Sequence, residues 1–101
     1  MYKKLVENFQ QNPRDVHTVP STKTACKWFY VYADKGNLYV EPAREHNPKC
    51  TVKRRLLNEI ECNNILEIYH RRCRGEQVYA EAKECTYSQV YWYGIFAELK
   101  L

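Results

Sequence analysis

The chain has 101 residues, enough for one domain over 1–101, and 45% of them are hydrophobic, which excludes a wholly disordered protein. Its 16 Lys and Arg residues outnumber its 12 Asp and Glu residues, for a net charge of +4 that permits polyanion binding without requiring it. No apolar run approaches the roughly 20 residues of a membrane-spanning helix, and the N-terminus lacks the apolar core of a signal peptide, so we expect a cytoplasmic protein with no membrane partner.

The first predicted elements are a short helix and a long connection. Apolar residues recur on one face of residues 2–10, which favours an amphipathic helix. Residues 11–24 contain two prolines and several Ser and Thr residues, which favours a loop with a short extended piece near residues 16–19.

Residues 27–42 carry the clearest β-strand pattern in the chain. Two runs rich in aromatic and β-branched residues, KWFYVYA and NLYVEP, flank the turn-forming sequence DKGN at 34–37, which predicts a hairpin. Because a two-stranded hairpin is not stable alone, it must pack on helices or gain a third strand. Residues 51–57 are either that strand or the first turns of a helix.

Strand alternation divides the hairpin aromatics between two sides. It places Trp28, Tyr30 and Tyr32 on one side, and Phe29 and Val31 on the other. We expect the side with Trp28 to face the core. The alternative is that its rings stack nucleobases, as on a sheet that binds single strands.

Three helices are predicted after the hairpin. Asn58 and Glu61 have the spacing of a cap for a helix over 59–74, and shorter helices are predicted over 77–84 and 88–99. The predicted fold class is therefore α+β. It has an N-terminal helix, a β-hairpin or three-stranded antiparallel sheet, and two or three C-terminal helices.

The last two predicted helices follow each other in a particular order. Within QVYAEAKECTYSQVYWYGIF, residues 77–96, the small Ala82 and the apolar Cys85 precede the polar cap Ser88 and a second helix with an aromatic stripe. This order resembles the helix-turn-helix. The resemblance implies that the second helix enters a groove of DNA.

Positive charge is concentrated between Lys49 and Arg74, a segment that contains seven Lys and Arg residues but only three Glu residues. Such a segment can supply phosphate contacts. The leading hypothesis is therefore a nucleic-acid-binding regulator of double-stranded DNA, in which Gln89 and Tyr93 approach the bases. The predicted phosphate-binding residues are Lys53, Arg54, Arg55, Arg71, Arg72 and Arg74. The structural alternative is a solvated helix end, since basic side chains in a last helical turn are stabilised by the helix dipole.

The predicted outer face of the last helix favours a second hypothesis. This face has no Lys or Arg, and Val90, Gly94 and Ala97 follow each other on it at i, i+4 and i+7. A ridge of small residues permits close approach of another element, within the domain or across a dimer. A protein-binding adaptor or inhibitor, acting alone or as a homodimer, would use the interface residues Val90, Tyr93, Gly94 and Ala97.

The sequence gives little support for catalysis or metal binding. The five cysteines form no CxxC pair, and the three histidines form no HExxH motif. We therefore predict no enzyme activity, no cofactor and no metal. The cysteines are expected to be free thiols, with Cys62 and Cys73 on a buried helix stripe.

Overall fold

The structure is a computed structural model that describes residues 1–20, 25–46 and 53–101. The helices and strands in these ranges confirm the predicted α+β class. In chain order they are α1 (Tyr2–Gln11), β1 (Arg14–His17), β2 (Trp28–Asp34), β3 (Asn37–Pro42), β4 (Arg55–Leu57), α2 (Glu59–Cys73), α3 (Tyr79–Cys85) and α4 (Gln89–Glu98). Within the described ranges, every helix is too short or too polar to cross a membrane.

The four strands form one antiparallel sheet in the order β1-β2-β3-β4. The predicted hairpin is confirmed, because β2 and β3 pair through to Asp34 and Asn37. The two residues between them, Lys35 and Gly36, have φ values of +50° and +79°. Two successive positive φ values are what a tight two-residue hairpin turn requires, since they match the twist of the flanking strands.

β1 and β4 form the two edges of the sheet. β1 pairs with β2 over residues 14–17, slightly earlier than the extended piece predicted near 16–19. β4 pairs with β3 over residues 55–57, so this part of the ambiguous segment 51–57 is a strand. Residues 51 and 52, like residues 21–24 of the predicted connection, lie outside the described ranges.

The prediction that Trp28, Tyr30 and Tyr32 face the core is wrong. Phe29 and Val31 are fully buried, whereas the other three residues are half-buried on the opposite side. Alternation decides which residues share a side of a strand, but it does not decide which side faces inward. The neighbouring strands decide it, through buried residues that share a side of the sheet with Phe29 and Val31. Those residues are Val16, Leu38, Val40 and Leu57.

The helices cover this inward side of the sheet. α1 packs against β2 and β3, α4 packs against β1, and α2 packs against α4. Phe9 from α1, Ile65 from α2, and Trp92 and Phe96 from α4 are each fully buried between these elements. The core therefore lies between the helices and one side of the sheet.

The C-terminal helices begin and end close to their predicted bounds. Asn58 caps α2 as predicted, because its side-chain oxygen accepts the Glu61 N–H at 2.9 Å. α2 ends at Cys73, just before Gly75, whose φ of +90° takes the chain out of the helix. α3 and α4 then follow in the order that the helix-turn-helix resemblance implied.

Candidate nucleic-acid interface

The side of the sheet opposite α1 and α4 carries a row of aromatic side chains. Trp28, Tyr30 and Tyr32 project from β2, and Tyr39 projects from β3. We call these four residues the aromatic face. All four are half-buried, so part of each side chain meets solvent.

The rings of the aromatic face lie next to one another. Tyr32 and Tyr39 face each other across the two strands, with ring centres 5.4 Å apart and planes inclined by only 18°. Tyr30 and Tyr32 lie along β2 with ring centres 5.8 Å apart. The three tyrosines therefore form a continuous surface across β2 and β3.

Two arginines lie over this surface. The guanidinium carbon of Arg44 is 4.0 Å from the centre of the Tyr30 ring, and that of Arg54 is 4.4 Å from the centre of the Tyr39 ring. The Arg44 side chain is 61% exposed, so its contact with the ring is formed in water. Each guanidinium group occupies a position that another flat group could take.

Tyr32 is held in a hydrogen-bonded chain at the middle of the row. Its hydroxyl donates to Glu41 Oε1 at 3.0 Å and accepts from Arg54 Nε at 2.8 Å. Burial raises the pKa of Tyr32, so the phenol stays protonated at neutral pH. The hydrogen bond to Tyr32 raises the pKa of Arg54, which keeps its positive charge beside the rings.

Residues 44–46, which we call the 44–46 loop, fold back over one end of the aromatic face. The Asp15 carboxylate, on β1, accepts the backbone N–H groups of these three residues at 2.8 to 2.9 Å. His46 Nδ1 also lies 3.0 Å from this carboxylate. The His46 imidazole stacks on the Trp28 indole, with ring centres 3.5 Å apart and planes inclined by 5°.

Asp15 is ionised at neutral pH although its side chain is only 2% exposed. Burial acts to raise the pKa of its carboxyl group, but the N–H groups of the 44–46 loop and the His46 ring outweigh that effect. The pKa of Asp15 therefore lies below its ordinary value of 3.8. A buried carboxylate with several charge-assisted hydrogen bonds is a firm attachment for the loop.

The first cluster of predicted phosphate-binding residues is divided between the two sides of the sheet. Arg54 lies on the aromatic face, and the preceding Lys53 is exposed. Arg55 points the other way, because successive strand residues project to opposite sides. Its Nη1 atom donates to Ser88 Oγ at 3.0 Å, at the start of α4.

The second cluster lies at the far end of α2 and is largely neutralised. α2 has 15 residues and is therefore about 22 Å long, so its last turn lies well away from its first. Arg71 pairs with Glu81 at 2.6 Å and with Glu76 at 3.2 Å, and Arg74 pairs with Glu76 at 3.4 Å. These ion pairs give the two arginines partners within the chain.

The prediction that Tyr93 and Gly94 face outward from α4 is wrong. Tyr93 is 7% exposed, and the Arg72 guanidinium covers its ring at 4.7 Å. Gly94 is buried against β1, where an added Cβ would lie 2.6 Å from the His17 carbonyl oxygen. A helix that is apolar nearly all round is buried over most of its surface. The run YWYGIF at 91–96 carries this signal in the sequence.

The remaining predicted site residues of α4 lie near its ends. Val90 is 47% exposed, and Gln89 and Ala97 are half-buried. Gln89 Oε1 is buried and accepts no hydrogen bond from the described part of the chain. The small Gly94 therefore serves packing within the chain, and Val90 is the exposed end of the predicted interface.

The titratable groups of the described ranges do not gather into a metal site. No group of three or more His, Cys, Asp or Glu side chains in those ranges is placed to hold a metal ion. Cys26, Cys62, Cys73 and Cys85 are free thiols. Cys62 is buried as predicted, and burial raises its pKa to about 11, but Cys73 is exposed, so the prediction of a buried Cys73 is wrong. Cys50 lies outside the described residues.

Three residues of the candidate site carry no signal in the amino-acid sequence. Asp15, Arg44 and His46 meet across 29 to 31 positions of sequence. No motif or period marks such a contact, because it depends on where β1 and the end of β3 meet in the folded sheet. The aromatic residues beside them were visible as a strand pattern.

Comparison with known proteins gives no functional information on this chain. The chain matches no protein-family model, no curated protein and no solved structure. The aromatic face and the charges around it are therefore the features that indicate a function.

Proposed function

We propose that the protein binds single-stranded nucleic acid across the aromatic face. The observation that carries the proposal is the row of neighbouring rings on the sheet side opposite α1 and α4, with two arginines over it. Unpaired bases stack on such rings whatever their sequence, because every base has a flat π surface. The single-strand alternative considered for the hairpin aromatics is thus favoured over their role as core residues.

The energies of the competing contacts favour displacement of the arginines by bases. A cation–π contact at an exposed site contributes about 0.5–1 kcal/mol. Stacking of a base on an aromatic side chain contributes about 1–3 kcal/mol. A base can therefore replace the guanidinium groups of Arg44 and Arg54 over their rings. The freed guanidinium groups then lie close enough to bind the phosphates on either side of that base.

The charges near the aromatic face predict a modest dependence on salt. Arg54 and Arg44 supply two positive charges over the rings, and Glu41 partly offsets them at the centre of the row. Neutralisation of about two phosphates of a single strand gives a slope of log K against log salt of about −1.4. Stacking then supplies the larger share of the binding energy.

The sequence-based hypothesis of duplex binding makes a different prediction for the preferred ligand. The bases of a duplex are stacked on each other, so they cannot also stack on Tyr32 and Tyr39. A helix-turn-helix would instead read a duplex with α4, whose central residues Trp92, Tyr93 and Gly94 are buried in this fold. We therefore expect a single strand to bind more tightly than the duplex of the same sequence.

Fluorescence anisotropy with labelled single-stranded and duplex oligonucleotides tests the proposal. Tyr39→Leu removes one stacking ring and should weaken single-strand binding about fivefold or more, which corresponds to at least about 1 kcal/mol. Tyr87→Leu is the matched control, because Tyr87 is 85% exposed but lies outside the aromatic face. Equal binding by the two variants, or a preference for the duplex, would contradict the proposal.

A second candidate function is protein contact, and exposed apolar residues favour it. Ile60, in the first turn of α2, is 78% exposed, and Tyr87 and Val90, at the start of α4, are 85% and 47% exposed. The Trp92 Nε1–Glu61 Oε2 hydrogen bond of 3.3 Å joins these two helices one residue after Ile60 and two residues after Val90 in sequence. Exposed apolar residues that cluster mark interaction sites.

Sedimentation over a range of concentrations tests the homodimer form of this second candidate. If Ile60 and Val90 form a self-association surface, Ile60→Glu and Val90→Glu should each give a monomer at concentrations where the wild type associates. Tyr79→Glu is the control, because Tyr79 is 72% exposed on α3. A wild type that stays monomeric throughout rules out the homodimer.

A further inference from the structure

The contact between His46 and Trp28 leaves no space for a ligand on that part of the aromatic face. A separation of 3.5 Å between nearly parallel rings is the thickness of one aromatic layer. The edge of the His17 ring meets the same indole, with ring centres 5.1 Å apart and planes inclined by 72°. Trp28 is therefore occupied by residues of its own chain on two sides.

The 44–46 loop covers a second ring as well. Arg44, two residues before His46, places its guanidinium carbon 4.0 Å above the Tyr30 ring. One short loop thus occupies the stacking positions on two neighbouring β2 residues. The third β2 ring, that of Tyr32, lies beyond the loop and faces Tyr39.

Asp15 is the attachment point of the loop. Its carboxylate accepts three successive backbone N–H groups, at 2.9 Å from residue 44, 2.8 Å from residue 45 and 2.9 Å from residue 46. The fourth contact, with His46 Nδ1, sets the orientation of the imidazole ring over Trp28. Loss of the Asp15 acceptor would release the backbone and the ring together.

We propose that the 44–46 loop is a self-inhibitory cover, in which His46 takes the place of a nucleobase on Trp28. This inference rests on the proposed function and adds to it a closed and an open state of the same site. Asp15 is the positioning residue that holds the closed state. A single strand first stacks on Tyr39 in place of Arg54, and it gains Trp28 and Tyr30 when the loop is displaced.

The closed state lowers the affinity that the protein shows for a single strand. When only a fraction of the molecules is open, the apparent Kd equals the intrinsic Kd divided by that fraction. An open state populated at 10% or less is ordinary for a pair of conformations separated by a few kcal/mol. Removal of the cover should therefore improve single-strand binding by about tenfold or more.

Two variants open the cover in different ways. Asp15→Asn replaces part of the acceptor by an N–H₂ group that faces the loop N–H groups, and His46→Ala removes the stacked ring but keeps the loop backbone. Asp15→Asn also removes one negative charge, which by itself favours polyanion binding. Asp34→Asn is the matched control, because Asp34 lies at the end of β2 on the same side of the sheet and contributes the same charge.

The state of the cover is measured without any ligand by NMR. In the wild type, the His46 ring protons lie over the indole of Trp28 and should be shifted upfield by its ring current. The Asp15→Asn variant should return them to ordinary shifts, and Asp34→Asn should leave them unchanged. Ordinary His46 shifts in the wild type would show that the cover is not closed in solution and would overturn the inference.

Binding of a labelled single-stranded oligonucleotide completes the test. The cover is supported if Asp15→Asn and His46→Ala bind more tightly than Asp34→Asn and the wild type. Addition of Trp28→Leu to the Asp15→Asn variant should then remove the gain in affinity. Equal or weaker binding overturns it, while the proposed function stands if the wild type still binds through Tyr39. If neither the wild type nor any variant binds, the proposed function fails and the cover fails with it.

Discussion

Gly94 of α4 lies directly against the backbone of His17 in β1, so that a Cβ on Gly94 would be 2.6 Å from the His17 carbonyl oxygen. The Phe29 ring would lie only 3.0 Å away on the same side. The absence of a side chain at position 94 is therefore what allows α4 to reach the sheet. The same residue looks like part of an exposed ridge when only the sequence is considered.

Gly94→Ala should destabilise the fold. The obstacle is a backbone atom, so the helix must move away from β1, and overpacking of this kind costs about 1–3 kcal/mol. Val90→Ala is the comparison, because Val90 is 47% exposed on the same helix. Urea denaturation gives both free energies of unfolding, and equal values for the two variants would show that α4 does not pack this closely.

Tyr2 connects α1 to the sheet through its hydroxyl group. That group donates to the Leu57 carbonyl and accepts the Leu38 N–H at 2.9 Å, and Tyr2 is only 6% exposed. Tyr2→Phe leaves both backbone groups buried without this partner, which should cost about 1–3 kcal/mol. Tyr79→Phe, at a residue that is 72% exposed, should change the free energy of unfolding very little. Thermal or urea denaturation of the two variants provides the comparison.

Local patterns were sufficient to predict most elements of this fold. The DKGN sequence at 34–37 predicted the hairpin, and Asn58 with Glu61 predicted the start of α2, because turn and cap geometry depend on a few adjacent residues. The inward side of the sheet depends on β1 and β4, which are short and lie far from the hairpin in sequence. A period of two residues cannot supply that information.

The candidate site was less predictable for the same reason. Arg54 and Arg55 are adjacent in sequence but lie on opposite sides of the sheet, so a count of charges along the chain overestimates the charge of any one surface. The attachment of residues 44–46 to Asp15 is a contact between distant segments. The burial of α4, by contrast, had a signal in the run of apolar residues at 91–96.

The contribution of Asp15 to stability should depend on pH. The lowered pKa of Asp15 means that the folded state favours the ionised carboxylate. The stabilisation by Asp15 is therefore complete when the pH is above the ordinary pKa of 3.8, and it is lost as the pH falls through the lowered pKa. The wild type should therefore be more stable than Asp15→Asn near neutral pH, and the difference should narrow below about pH 4. Denaturation at a series of pH values measures the difference in the free energy of unfolding between the two proteins. A difference that does not change with pH would show that the carboxylate charge is not involved.

Cys62 should be the least reactive of the described thiols. Burial raises its pKa from 9.0 to about 11, so the nucleophilic thiolate is scarce at pH 8. Cys26 and Cys73 are exposed and should be alkylated in the native protein. Peptide mass spectrometry after brief treatment with iodoacetamide distinguishes the sites. Labelling of Cys62 at the rate of Cys26 would show that the helix α2 opens easily, whereas labelling only in denaturant supports the packed core.

A comparison of Arg54 and Arg71 decides between the aromatic face and the end of α2 as the place where phosphates bind. Each substitution by Gln removes one positive charge, but Arg54 lies over the Tyr39 ring, whereas Arg71 is held by Glu81 and Glu76. Arg54→Gln should weaken single-strand binding and reduce the salt slope by about 0.7, the loss of one phosphate contact. Arg71→Gln should leave both quantities unchanged, because the Arg71 guanidinium contacts Glu81 and Glu76 and not a ring of the aromatic face. The reverse result would place the phosphates at the end of α2 and would favour the duplex hypothesis.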